Sequence, residues 1–215
     1  MDSRALLSRL RIELQEVNRR IENHPFIVEA ENAVLPLDKL KLYVENQYYI
    51  VYHDVRSLAL MVSRAKEYDE ATYLAKLELG DLRAFEELCK MGEELGVGLT
   101  GFERLRIIPA AVSYTHYLSW LALNASVGEQ VFALIVNLPV WGRACARLAE
   151  ALKTRYGLAA TGFLEGFAQT PPWVEDDGLR LVERYLDRGE EKMRLVARMI
   201  QSYELSFWDG IYGGA

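Results

Sequence analysis

The sequence predicts an all-α fold, a bundle of about seven or eight helices. Apolar residues recur at helical spacing along most of the chain, and no segment alternates apolar and polar residues strictly enough for a strand. One segment of about 28 residues contains neither glycine nor proline, which predicts a helix that crosses a whole domain. The 215 residues include no low-complexity linker and no fixed-period repeat, so residues 1–215 are predicted to form one domain.

The N-terminal part is expected to contain three helices. A stripe of leucine, valine and isoleucine in Leu6–Ile21 forms one buried face. Asn23 is expected to cap a short second helix, Pro25–Asn32, whose proline suits the first turn. Pro36 then opens the long helix, Leu37–Arg64, which spans ~42 Å at ~1.5 Å per residue. Apolar positions nearly all round this helix predict that other helices cover it.

The remainder of the chain is expected to supply the other helices. They are predicted at about Asp69–Leu95, Pro109–Asn124, from Ser126 onward, Trp173–Asp187 and Glu190–Tyr212. Pro139 should kink the helix that begins at Ser126, and Gly189 should separate the last two. Residues 156–173, rich in glycine and proline, are expected to form a loop or a short helix.

Composition and charge exclude several function classes. The net charge of −6, with acids between the basic residues, argues against a nucleic-acid partner. The longest apolar run, Val131–Val136, is too short to span a membrane, and the first ten residues lack a signal peptide's apolar core. We therefore expect a cytoplasmic protein with no membrane partner. Cys89 and Cys145 form no CxxC pair and are expected to be buried thiols.

Known catalytic motifs are missing from the sequence. It has no GxxxxGK[ST], no GxGxxG after a strand, no GxSxG and no HExxH. Its three histidines are His24, His53 and His116. His53 could converge with Asp54, His116 and Glu78, but satisfied or exposed histidines are the simpler interpretation. We therefore expect neither a metal nor a cofactor.

Polar residues in apolar surroundings are the stronger indication of a site. The amide of Asn137 lies inside an apolar run, and burying it without partners costs about 1–3 kcal/mol, so it must be hydrogen-bonded or face a pocket. Glu204, beside Phe207 and Trp208, is a similar case. The tyrosines either line a partly polar cavity with Gln47 or pack with their hydroxyls toward solvent. They are Tyr43, Tyr48, Tyr49 and Tyr52 on the long helix and Tyr114 and Tyr117 further on.

Three segments in order resemble the TenA (thiaminase II)/PqqC superfamily over nearly the full length. They are His24-Pro25-Phe26 followed by Leu35–Leu40 and Tyr43-Val44, then Ser113-Tyr114, and finally Ser202–Asp209. These segments are similar to the family's HPF…LP-x-(D/E)-x-(F/L)…Y, S-Y and YE-x-x-FW patterns. The resemblance implies a heme-oxygenase-like fold with a central pocket for a small-molecule ligand, and a homo-oligomer, either a dimer or a tetramer.

The resemblance also implies where a site would lie. TenA enzymes use a cysteine nucleophile, a glutamate in the C-terminal signature, an aspartate on the long helix and tyrosines that line the pocket. Glu204 matches the glutamate and Tyr114 one tyrosine, whereas Gln47 stands where the aspartate belongs. At the cysteine position the chain has Asn137, or Pro139 in an alternative alignment.

Three functions follow as alternatives. The favoured one is a divergent enzyme that binds an aminopyrimidine- or thiamin-related molecule and hydrolyses it, with Glu204 activating water directly. The others are a non-catalytic binding or regulatory protein and a PqqC- or CADD-like oxidase, which three scattered histidines disfavour. Thiaminase activity is expected to be absent, since an amide cannot attack as a thiolate does. The predicted catalytic residue is Glu204, and the predicted ligand-binding residues are Gln47, Tyr114, Asn137, Tyr43 and Phe207.

Overall fold

The computed structural model describes residues 2–213, except for the side chain of Arg188. Within this range the chain forms ten α-helices, one 3₁₀ turn and no strand, which confirms the all-α prediction. The helices are α1 Ser3–Glu13, α2 Gln15–Glu22, α3 Pro25–Glu31, α4 Leu37–Arg64, α5 Tyr68–Glu94, α6 Pro109–Asn124, α7 Val127–Tyr156, α8 Gly162–Ala168, α9 Pro172–Glu183 and α10 Leu186–Gly213. The count exceeds the expectation because the first predicted helix breaks at Leu14 and residues 162–168 form a short helix.

Helix α3 begins at Pro25 as predicted, but its N-cap is His24 and not Asn23. The His24 ring Nδ1 accepts the N–H of Phe26, while Asn23 instead ends α2. The His24 Nε2 lies 3.2 Å from Asp209 Oδ1 on α10. With Nδ1 accepting, Nε2 carries the proton and donates to this carboxylate. This hydrogen bond joins the His-Pro-Phe segment, near the N-terminus, to the C-terminal helix α10.

Two long helices organise the bundle. Helix α4 has the predicted bounds and packs against α5, α6 and α10. Helix α7 packs against α2, α3, α8, α9 and α10. A capping box between Ser126 and Glu129 begins α7, and Gly157, in the left-handed region with φ 69°, ends it. Pro139 lies inside α7 without ending it.

The boundary between α9 and α10 differs from the predicted one. Gly189 lies within α10, and the break falls at Arg184 and Tyr185. The Tyr185 hydroxyl donates to the buried Glu70 carboxylate at 2.6 Å. A Cβ on Gly128 would lie only 2.5 Å from the Tyr185 Cβ, so the missing side chain lets this tyrosine approach α7. The tertiary contacts of Tyr185 therefore determine where α9 ends and α10 begins.

Helix α7 is also long and apolar enough, by length and composition alone, to cross a membrane. However, 72% of its most apolar 18-residue window is buried inside the protein. Its residues contribute to both hydrophobic clusters of the bundle. Its apolar surface is thus covered by neighbouring helices, as in a core helix.

Candidate functional site

A cavity of about 640 Å³ lies within the bundle, enclosed by residues from α4 to α10. This volume falls within the range of pockets that hold small organic molecules. Its wall is mainly apolar and aromatic, and the larger rings are Trp141, Phe163, Phe167, Trp173 and Phe207. Exposed residues of α5 and of the α8–α9 region, including Lys76 and Gln169, also line it and mark its mouth. There the Lys76 ammonium lies 5.3 Å from the centre of the Trp173 ring.

Glu204 lies at the cavity wall and is 4% exposed. Its two carboxyl oxygens accept different donors: Trp208 Nε1 at 2.9 Å and Asn137 Nδ2 at 3.2 Å. Burial raises the pKa of Glu204 to about 7, although these two hydrogen bonds favour the charged form. A carboxyl group with this pKa can both accept and donate a proton near neutrality, as a general acid/base must.

Asn137 links this carboxyl group to its surroundings. Its Oδ1 accepts the Tyr114 hydroxyl at 3.0 Å, and its Nδ2 also donates to Gln201 Oε1 at 3.0 Å. The buried amide is therefore satisfied, and it also lines the cavity. Of the two candidates for the cysteine position, Asn137 faces the cavity and Pro139 does not line it.

Neither cysteine lines the cavity. Cys145 is fully buried, and burial together with nearby Glu204 raises the pKa of its thiol well above the ordinary value. Cys89 lies on α5 and is partly exposed. The cavity wall, as far as the structure describes it, thus contains hydroxyl groups but no thiol nucleophile.

The other predicted ligand-binding residues divide into two groups. Gln47 and Phe207 line the cavity beside Tyr114. Tyr43 does not: it is fully buried behind Phe207, with ring centroids 5.7 Å apart, and its hydroxyl has no hydrogen-bond partner. Outside the cavity, the remaining tyrosines of α4 pack around Phe102 with His53. Of the tyrosines in the predicted inward cluster, Tyr114 alone is among the described lining residues.

Among the described residues, three acids besides Glu204 line the cavity and were not predicted as ligand-binding residues: Asp54, Asp81 and Glu87. Asp54 lies on α4, and the other two lie on α5. Asp54 follows Gln47 by seven residues, and this spacing places both on one face of α4. The sequence carries that signal, but His53 and Arg56 beside Asp54 suggest a solvated polar stretch.

The histidines do not form a metal site. Over residues 2–213, no group of three or more His, Cys, Asp and Glu side chains could hold a metal ion. His116 lies 3.3 Å from the Tyr49 hydroxyl at the surface, and His53 stacks nearby. The suggested convergence of His53, Asp54, His116 and Glu78 is therefore not seen, because Asp54 faces the cavity instead.

The comparison with protein families gives one match. The TENA/THI-4/PQQC family profile matches residues 11–214. No curated protein matches the chain.

Solved structures show the same fold. A TenA homologue from Pyrococcus furiosus is 25% identical with a TM-score of 0.76, covering 96% of this chain and 100% of that one. A TenA homologue from Pseudomonas syringae pv. tomato is 15% identical with a TM-score of 0.80, covering 99% and 96%. Heme oxygenase-1 from Synechocystis, solved with heme, is 15% identical with a TM-score of 0.70, covering 97% and 92%. The heme-oxygenase-like fold is thus confirmed.

The Synechocystis structure contains heme. Heme iron in such proteins is commonly held by a histidine. None of His24, His53 and His116 lines the cavity, so the described wall offers no imidazole to an iron centre.

Proposed function

Because the chain belongs to the TENA/THI-4/PQQC family, we propose that it binds an aminopyrimidine- or thiamin-related molecule in its cavity and hydrolyses an aminopyrimidine of this class. The observation that carries the proposal is Glu204, a buried cavity carboxyl group with a pKa of about 7. Its two hydrogen bonds, from Asn137 and Trp208, fix its orientation.

The proposed reaction is a direct displacement by water. Glu204 takes a proton from water as the water oxygen forms a bond to the substrate carbon. The bond from that carbon to the leaving nitrogen breaks, and Glu204 returns the proton to the departing amine. One carboxyl group serves both steps, so no covalent intermediate on the protein is required.

Gln47 and Phe207 are suited to hold the ring, and other side chains support them. The Gln47 amide can donate to and accept from a pyrimidine edge, although it lacks the charge of an aspartate. Phe207 offers an apolar face, and Trp141 packs edge-on against it at 5.9 Å between centroids. Tyr114 supports the site through Asn137.

The second candidate function is non-catalytic binding. It is favoured by Asn137, an amide that faces the cavity where the enzymes of the resembling family carry their nucleophile. An oxidase of the PqqC or CADD type is supported less, because no histidine is among the described cavity residues.

The test measures amine release from 4-aminopyrimidines that carry an aminomethyl substituent, whose amine is the leaving group, with thiamin assayed in parallel. We expect turnover of the aminopyrimidine and none of thiamin, because the cavity wall has no thiol. Glu204→Gln should lower kcat by about 10²-fold or more, since general acid–base groups contribute that much.

The control is Glu86→Gln, an exposed position of α5 outside the cavity, which should leave kcat unchanged. Equal turnover by wild type and Glu204→Gln would refute the acid/base role. Tight binding of the aminopyrimidine by wild type without amine release would instead support the non-catalytic function.

A further inference from the structure

A pair of aspartates forms a second polar group in the cavity, separate from the Glu204 network. On α4, Gln47, Val51 and Asp54 share the face toward the cavity. On α5, Leu77 and Asp81 do the same. The helices α4 and α5 pack against each other, and the two carboxyl groups are close enough for the charge of Asp81 to raise the pKa of Asp54.

Asp54 is buried without a partner for one of its oxygens. The residue is 7% exposed, and its Oδ1 makes no hydrogen bond. An unsatisfied buried carboxyl oxygen costs free energy, so a bound donor would remove a penalty present in the empty protein. No ion pair to Asp54 or Asp81 occurs among the described residues.

The charges of the cavity are separated by depth. The basic residues that line it, Lys76 and Arg83, are exposed. The buried carboxyl groups, Asp54 and Glu204, therefore face a cavity without an internal cation in its described wall. Such an arrangement suits a ligand that brings its own positive charge.

We propose that Asp54 and Asp81 form a recognition subsite for a cationic N–H group, an ammonium or amidinium, on an aromatic ligand. The cation would donate to Asp54 Oδ1 and lie between the two carboxylates, while the ring contacts aromatic walls such as Phe207 and Trp141. This inference rests on the cavity being the ligand site proposed above, but it does not depend on hydrolysis.

The pair also predicts that binding releases protons. Burial, and then nearby Asp81, raises the pKa of Asp54 well above the ordinary value, and burial raises the pKa of Asp81 to about 7. A bound cation favours the charged carboxylates and therefore expels protons from them. Other titratable or charged groups that line the same cavity are Glu204, Tyr114, Lys76, Arg83 and Glu87.

The experiment compares tryptamine with tryptophol, an indole of similar shape whose hydroxyl replaces the ammonium. Calorimetric titration at pH 7 should show tryptamine binding about 10-fold to 100-fold more tightly, as expected for a charge-assisted hydrogen bond. Repeating the titration in phosphate and in Tris should give different enthalpies, because the released protons are taken up by the buffer.

Two variants and two controls locate the effect. Asp54→Asn and Asp81→Asn should reduce tryptamine affinity toward that of tryptophol, while Glu86→Gln should not. Glu204→Gln should keep the preference for tryptamine even if it abolishes hydrolysis, which separates this inference from the proposed reaction. Equal affinity for the two probes, or an unchanged preference in Asp54→Asn, would overturn the proposal.

Discussion

Among the described residues, four buried polar side chains line the cavity: Gln47, Asp54, Asn137 and Glu204. Asn137 and Glu204 could be predicted from the sequence because each interrupts an apolar or aromatic run, where an unsatisfied polar group is costly. Their mutual hydrogen bond could not be predicted, since it joins α7 to α10 across 67 positions of the chain. Asp54 was not predicted to line the cavity, because its neighbours in sequence are polar. Only the packing of α4 against the other helices shows that its side of α4 faces the cavity.

The prediction at the residue scale concerns Cys145. The thiol is fully buried, and its raised pKa disfavours the reactive thiolate. In a Cys89→Ala background, native Cys145 should react with Ellman's reagent at pH 8 at least about 10³-fold more slowly than in guanidinium, because reaction requires opening of the fold. The rate of absorbance change measures this.

The guanidinium-unfolded sample of the same variant is the control and should show one thiol per chain. Fast reaction of the native thiol would contradict the assignment of Cys145 as a packing residue.

At the scale of elements, Tyr185 connects the junction of α9 and α10 to two neighbouring helices. Tyr185 donates to Glu70, whose side chain is buried and also takes part in the capping box at the start of α5. The same tyrosine packs into the space left by Gly128 at the start of α7. The starts of α5 and α7 and the junction of α9 with α10 therefore meet at Tyr185.

Tyr185→Phe should destabilise the protein by about 1–2 kcal/mol, because the ring remains but Glu70 loses a hydrogen bond in a buried setting. Urea unfolding followed by circular dichroism measures the change in the free energy of unfolding.

Tyr68→Phe is the matched control. Tyr68 begins α5, the helix that carries Glu70, but it is 89% exposed. Its free energy of unfolding should stay within about 0.5 kcal/mol of wild type. A Tyr185→Phe variant as stable as the control would show that the hydroxyl contributes nothing to the junction.

The accuracy of the predicted helix bounds follows from the same physics. Helix α4 was predicted correctly because proline and the apolar pattern act locally. Gly189 was expected to end a helix on propensity alone, but contacts of Tyr185 with Glu70 and near Gly128 set the break earlier. Propensity yields to tertiary packing where the two differ.

On the scale of the whole molecule, acids are divided between surface and cavity. Exposed Asp38 and Asp69 pair with arginines, and these hydrogen bonds lower the pKa of each carboxyl. In the cavity, burial raises the pKa of Asp54, Asp81 and Glu204. Trp173 and Tyr185 pack partly buried against the core and so do not indicate a partner surface, and self-association stays a prediction of the family resemblance.

The cavity acids predict a pH dependence of stability. The pKa of Glu204 is about 7 in the folded protein and ~4.3 when unfolded, so the folded state holds its proton more tightly between these values. Its contribution to stability is present below ~4.3 and is lost as the pH rises through about 7. From pH 5 to pH 8, this loss should be about 2–3 kcal/mol.

Urea unfolding at both pH values measures the total loss, and Glu204→Gln should remove the part that Glu204 contributes. Asp54 and Asp81, whose pKa values burial also raises, contribute in the same direction in both proteins. The contribution of His24 to stability changes with pH in the opposite direction, because burial lowers its pKa. This contribution is present in both wild type and Glu204→Gln. The difference between the two pH slopes therefore isolates Glu204. Parallel slopes for wild type and variant would show that the carboxyl group does not titrate in this range.

Two exposed glycines line the cavity, Gly80 on α5 and Gly166 on α8, and they bear on how this protein can evolve. A side chain added at Gly80 or Gly166 would meet nothing within 4 Å. Glycine inside a helix is less stable than alanine by about 0.5–1 kcal/mol, so larger residues here would gain stability while narrowing the opening. Most changes of ligand preference must trade stability for selectivity. At these two positions a single substitution would both restrict the range of ligands and stabilise the fold.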